Sequence, residues 1–209
     1  MNKTRSSEDS KIKILEAAEI EFAEFGLDGA SVNIIAEKSG LNKRMIYHYF
    51  NSKEGLYEEI LKINFYKIFE LEKKAFSMTE FESDIFKSIR QGISDYYNFL
   101  KINPKYVKII TREELSGGKY IHKLIPDTFL MGFEKLLGIY KRGVEKDLLK
   151  ENIDIMQLII SINAMCFIPF TRSQMLKEIW GTNYGMKLNE RLEHICQMVI
   201  NEISKERKE

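Results

Sequence analysis

The chain has 209 residues, with 44% apolar and 30% charged side chains, the balance of a protein that buries a core. Its 13 Phe and 10 Tyr exclude a disordered chain, and 12 Gly with only 3 Pro are too few turn formers for a β-sandwich or barrel. A formal net charge of +1 gives no global field that would advertise an acidic partner.

The ends and the greasy stretches set further limits. The polar start, MNKTRSSEDS, has no apolar signal core. The longest apolar run, Ile155 to Phe170, is interrupted by Gln157, Ser161, Asn163 and Pro169 and is too short to span a bilayer, so no membrane partner is expected. Cys166 and Cys196 lie in apolar helical contexts and read as reduced core residues of a cytoplasmic chain.

The first helix is predicted from Leu15, Ala18, Phe22 and Phe25, which recur at helical spacing, with Gly26 as its C-cap and Asp28-Gly29 as a turn. Ser31 is placed to cap a short second helix, Val32 to Ser39, with Ile35 inward and Ala36 beside it. Gly40 supplies the left-handed residue of a tight turn. Leu41 is apolar, and a third helix starts at Asn42 or Lys43 with Ile46 and Tyr49 turned inward. This is a helix-turn-helix pattern. Charge is segregated across it. Leu15 to Glu37 holds six acids and no base, whereas Lys38 to Lys53 holds Lys38, Lys43, Arg44 and Lys53 and no acid. The third helix exposes Lys43, Arg44, Tyr47 and His48, side chains suited to a major groove. Ser52 then caps a fourth helix, whose N-terminus with Lys53 suits a DNA phosphate.

Three runs carry a family resemblance: Ser31 to Ala36 (SVNIIA), Gly40 to Phe50 (GLNKRMIYHYF) and Ser52 to Tyr57 (SKEGLY). Over about residues 10 to 60 the sequence resembles the DNA-binding end of the TetR family of transcriptional regulators, and the long helical remainder is also similar to that family. The resemblance implies an all-α fold: a three-helix DNA-binding domain, residues 1–51, joined to a helical ligand-binding and dimerisation domain, residues 52–209. It places Asn33 and Lys43 at base contacts, with Arg44 beside them and Ser31 at the head of the second helix. Tyr47, Tyr49 and Lys53 match phosphate-gripping positions, and core packing stays open for Tyr49. Met45 replaces a usual small residue, and His48 falls at a variable position.

Beyond the motif, a helix of about 37 Å, at 1.5 Å per residue, is predicted from Ser52 to Phe76. A break at Ser77 to Thr79 precedes a helix from Phe81 to Lys101. Pro104 opens another, to Leu115, which Ser116-Gly117-Gly118 ends. Lys119 to Ile125 is irregular or a short helix. Pro126 can open a helix to Lys146, Asn152 or Asp154 starts one through Trp180-Gly181, and the last runs from Lys187 to Lys205. In that last helix Leu188, Leu192, Ile195, Cys196, Val199 and Ile203 form one stripe. The helix before it is apolar almost all round and must be covered on every side. An intrachain core and a two-fold four-helix interface both satisfy this, and the resemblance implies the homodimer, through the last two long helices.

The resemblance also implies a small-molecule effector. Phe69, Tyr96, Phe99, Phe133, Met165 and Phe170 are candidate lining residues for a largely apolar ligand, each with core packing as its alternative. Pro169 is expected to kink its helix and open space. No cofactor, metal or catalytic constellation is expected. Gly117-Gly118-Lys119 resembles a phosphate loop, but Glu113 stands at the upstream glycine position and Tyr120 follows the lysine. His48, His122 and His194 share no ligand spacing. The expected function is a repressor released from a palindromic double-stranded operator by a small ligand. The alternatives are a DNA-binding dimer that is constitutive or controlled by a protein, and, more remotely, a helical carrier or scaffold.

Overall fold

A computed structural model describes residues 3–77, 84–124 and 136–205, and among them the regular structure is helical. The helices are α1 (Lys3–Gly29), α2 (Val32–Ser39), α3 (Lys43–Phe50), α4 (Lys53–Ser77), α5 (Ile85–Ile102) and α6 (Pro104–Leu115). They continue with α7, described over 136–145, then α8 (Ile155–Thr171), α9 (Ser173–Trp180) and α10 (Tyr184–Ile203). The only β pairing among the described residues is a single antiparallel bridge, Leu149 to Ser204. Two compact units form: residues 1–67 with 105–126, and residues 68–104 with 127–209.

The first unit runs past residue 51, where the sequence reading divides the chain, because Leu56, Tyr57, Ile60 and Leu61 of α4 lie in its core. Ile14, Ala18 and Phe22 of α1 are buried at four-residue spacing, and Phe22 meets the Tyr57 ring edge-on at 5.0 Å. That row differs from the expected one: Leu15 is half-buried and Phe25 is 51% exposed. The backbone leaves helical angles at Gly26 (φ 70°), as the C-cap reading requires, but helix resumes through Asp28 and Gly29, where a turn was expected. The α2 boundaries match the sequence reading. Its C-terminus is a Schellman motif, with Leu41 N–H bonded to Ala36 O, Gly40 N–H bonded to Glu37 O, and Gly40 left-handed (φ 68°). The Asn42 side chain accepts from Met45 N at 3.0 Å and fixes the start of α3.

Ion pairs tie α1 to α6 and α4 within this unit. Glu19 takes Lys105 at 2.5 Å and Lys67 at 3.1 Å, and Glu24 takes Lys108 at 2.7 Å. Arg112 donates to the Glu24 carbonyl at 2.6 Å. Glu19 and Glu24, two of the six acids of the segregated charge, are therefore held in internal pairs.

In the second unit α5, α8 and α10 share a core of Ile93, Tyr97, Leu100, Cys166, Ile195 and Val199. The Tyr97 hydroxyl donates to the Leu188 carbonyl at 2.9 Å. The predicted α10 stripe is buried, apart from a half-buried Leu192, and the helix starts at Tyr184, before Lys187. Burial pushes the Cys166 thiol up to about 12, so it stays protonated. The helix predicted from Asn152 to Gly181 is two helices. Asp154 caps α8, Pro169 lies in its final turn, and the chain bends by 70° between Ile155–Thr171 and Ser173–Ile203. No single helix among the described residues is long and apolar enough to cross a membrane. Full coverage of α8 is not met within one chain: Ile160 and Ile168 are 53% and 52% exposed, and Met156 is also exposed. The break near residue 78 and the helix start at Pro126 lie outside the described residues.

Candidate nucleic-acid interface

The outward face of the helix-turn-helix is built by the residues that the inner face leaves free. Ile46 and Phe50 bury one side of α3, so Lys43, Arg44, Tyr47 and His48 point out. Tyr47 is 41% exposed, and the Lys43 ammonium stands 5.9 Å from its ring centroid. Lys43 and Arg44 make no ion pair among the described residues, so both offer full charge to a phosphate or a base edge. Asn33 is exposed in the first turn of α2. Ser31 is extended (φ −108°, ψ 120°) at the N-cap of α2, but its hydroxyl makes no capping bond; its backbone N–H donates to Glu21 at 3.3 Å.

Tyr49 is half-buried, with its hydroxyl 3.1 Å from Ser7 Oγ on α1, so it packs and also presents a polar tip. Lys53 donates to the carbonyls of Asp28 and Ala30 at 3.3 and 3.2 Å. An ammonium has three donors, so one remains for a phosphate. These bonds bring the start of α4 beside the start of α2, two helix N-termini of partial positive charge. Ser52 Oγ accepts from Gly55 N at 3.0 Å and caps α4 as expected.

Two arrangements were missed from the sequence. Lys38, counted in the basic run, is paired with the buried Glu21 at 2.7 Å. Glu113 is buried and accepts the Tyr120 backbone N–H at 2.7 Å. Tyr57 also bonds Glu113; burial first, and then this carboxylate, raise the phenol above its ordinary value. The available signal for Glu21 was position: with Ile14, Ala17, Ala18 and Phe22 it falls on the apolar stripe of α1, where a charge needs a partner.

The candidate ligand residues lie in the second unit. The Asn163 amide donates to the Tyr96 hydroxyl at 2.9 Å, between α8 and α5. Phe170 meets Tyr97 edge-on at 5.0 Å, Phe99 is buried, and Met165 is half-buried. Phe133 and the Phe69 side chain lie outside the described residues.

Residues 14–60 match the family described as bacterial regulatory proteins, tetR family. Residues 87–199 match the family described as tetracyclin repressor-like, C-terminal domain. The chain is 25% identical over 167 residues to the HTH-type transcriptional repressor NicS of Pseudomonas putida, covering 79% of this chain and 77% of that one. It is similar in fold to the putative transcriptional regulator SCO4942 of Streptomyces coelicolor (TM-score 0.70, 18% identity, 93% and 98% covered). It is likewise similar to the ketosteroid transcriptional regulator KstR2 of Mycobacterium tuberculosis (TM-score 0.70, 18% identity, 94% and 95% covered).

Proposed function

Because the chain belongs to the TetR family of DNA-binding transcriptional regulators, we propose that it is a repressor that binds a palindromic operator as a homodimer and is released by a small, largely apolar ligand. The observation that carries the DNA half is the open face of α3, with Lys43, Arg44 and Tyr47 exposed around a buried Ile46. Lys43 and Asn33 contact bases, with Arg44 beside them. Tyr47, Tyr49, the third donor of Lys53 and the start of α2 at Ser31 hold phosphates. Residues 1–51 carry the base contacts, and residues 52–209, beyond the phosphate-holding Lys53 at their start, carry dimerisation and ligand binding, at work in the cytoplasm.

The exposed Met156, Ile160 and Ile168 support dimerisation through α8 and α10. They recur along α8 at multiples of four residues and are exposed in the single chain. One short recognition helix reads few base pairs, and two on a two-fold axis read a palindrome.

A second reading, a DNA-binding dimer without a small-molecule inducer, is favoured by the packing of the candidate ligand residues. Tyr96 and Phe170 already engage protein groups, and Phe99 is buried. Operator binding measured against a panel of small apolar molecules separates the two: release by one supports the first reading, and indifference to all supports the second. Lys43→Ala tests the DNA half. It should reduce discrimination between the preferred duplex and single-base variants by about 1–3 kcal/mol at the contacted base. Unchanged discrimination removes Lys43 from the reading face.

A further inference from the structure

One carboxylate of α1 serves both ends of α2. Glu21 is 2% exposed. Its Oε1 accepts the backbone N–H of Ser31, where α2 begins, and its Oε2 accepts Lys38 Nζ, from the last turn of α2, at 2.7 Å. Helical side chains lean toward the N-terminus, so Lys38 reaches back to the group that serves Ser31. In a capping box a Glu or Gln at the third helical position bonds the N-cap N–H. That position here is Ile34, which has no acceptor, and Glu21 supplies the bond from a neighbouring helix.

The pairing also changes what the head offers to DNA. Lys38 follows the acidic stretch in sequence and stands first in the basic run, but its charge, on a side chain 42% exposed, is neutralised by the buried Glu21 carboxylate, which needs a cation beside it; Lys53, by contrast, bonds neutral carbonyls and keeps its charge. Lys43 and Arg44 are left as the open cations of α3. We propose that Glu21 is a positioning residue for DNA reading: it locks α2 at both ends and withholds Lys38 from the phosphate backbone. This deepens the DNA-binding reading above and rests on it. A charge withheld from phosphates lowers the sequence-independent part of the affinity and leaves base contacts intact, which raises the ratio of specific to non-specific binding.

The test is the salt dependence of binding to a mixed-sequence duplex about three helical turns long, read by fluorescence anisotropy on the full chain. Lys38→Gln should share the wild-type slope of log K against log salt, because Lys38 releases no counterion. Glu21→Gln keeps the size and an acceptor but frees the ammonium, and should steepen the slope by about 0.9 per new phosphate contact. The double variant should return to the wild-type slope. A Lys38→Gln slope flatter by about 0.9 overturns the proposal, as does a folded Glu21→Gln with the wild-type slope; if Glu21→Gln does not fold, Lys38→Gln decides alone. Amide hydrogen exchange on the free protein reads the positioning half. Glu21→Leu, which keeps the bulk but has no acceptor, should speed exchange at Ser31 and along α2 while Leu56 to Leu61 of α4 keep their protection, and unchanged exchange at Ser31 overturns the lock. A wild-type chain that ignores the duplex at low salt contradicts the DNA reading, and the exchange at Ser31 still decides the lock.

Discussion

The ammonium of Lys53 lies 3.2 Å from the carbonyl oxygen of Ala30, so the first residue of α4 closes the end of the α1–α2 connection. This gives the side chain two tasks. It satisfies carbonyls that the end of α1 leaves open, and it keeps one donor for DNA. Lys53→Ala should therefore cost about 1 kcal/mol of stability, the usual worth of such bonds. It should also flatten the salt slope of duplex binding by about 0.9. Thermal melts and salt titrations on the same variant check both. Loss of stability with an unchanged slope would assign Lys53 to the fold alone.

Gly55 reports how closely α4 approaches the end of α3. A Cβ there would run into the Phe50 carbonyl oxygen, which is backbone and cannot rotate away. Gly55→Ala should destabilise the first unit by about 1–3 kcal/mol, the usual cost of overpacking, despite the better helix propensity of alanine. Denaturant melts measure it, and a stabilised variant would contradict the close approach.

Much of the helix-turn-helix is legible in sequence because its determinants are local. The left-handed Gly40, the capping Asn42 and the inward Ile35 and Ile46 are each set by near neighbours, and the boundaries of α2 follow from them. What was not legible depends on distant partners. The Lys38–Glu21 pair spans 17 residues, and the Lys53 bond to Ala30 spans 23, so spacing rules for a single helix cannot see either. Pro169 signals a kink in the sequence, but the apolar pattern runs on past it, so the full break between α8, which ends at Thr171, and α9 was not legible. Phe25 shows the same limit: helical spacing allows it inside, and the chain's departure at Gly26 leaves it out.

The pairs that tie α1 to α6 give a pH dependence. Burial of Glu19 raises its pKa, but the ammonium groups of Lys105 and Lys67 outweigh burial and hold it below the ordinary glutamate range. A depressed carboxylate stabilises the folded chain fully above the unfolded value and loses that contribution as pH falls through the lower folded value. Stability should thus decline as pH drops below about 4.5, and Glu19→Gln should decline less steeply over that window. Denaturant midpoints taken across the acid range check this, and equal slopes for the two proteins would remove Glu19 from the acid response.

The uncovered face of α8 predicts an assembly. Ile160→Glu would place a carboxylate in a buried apolar contact, where an unpaired charge costs several kcal/mol. Sedimentation velocity should show a dimer for the wild type and a monomer for the variant at about micromolar concentration, with the helical circular dichroism kept. A wild-type monomer would mean that Met156, Ile160 and Ile168 serve another contact.

Selection from a random duplex pool with the wild-type chain at low salt tests the central assignment most directly. Enrichment of a two-fold symmetric sequence, with half-sites one helical turn apart or a multiple of it, is the predicted result. Recovery of unselected sequence, or no retention of duplex at all, would contradict the assignment of α3 as the helix that reads DNA.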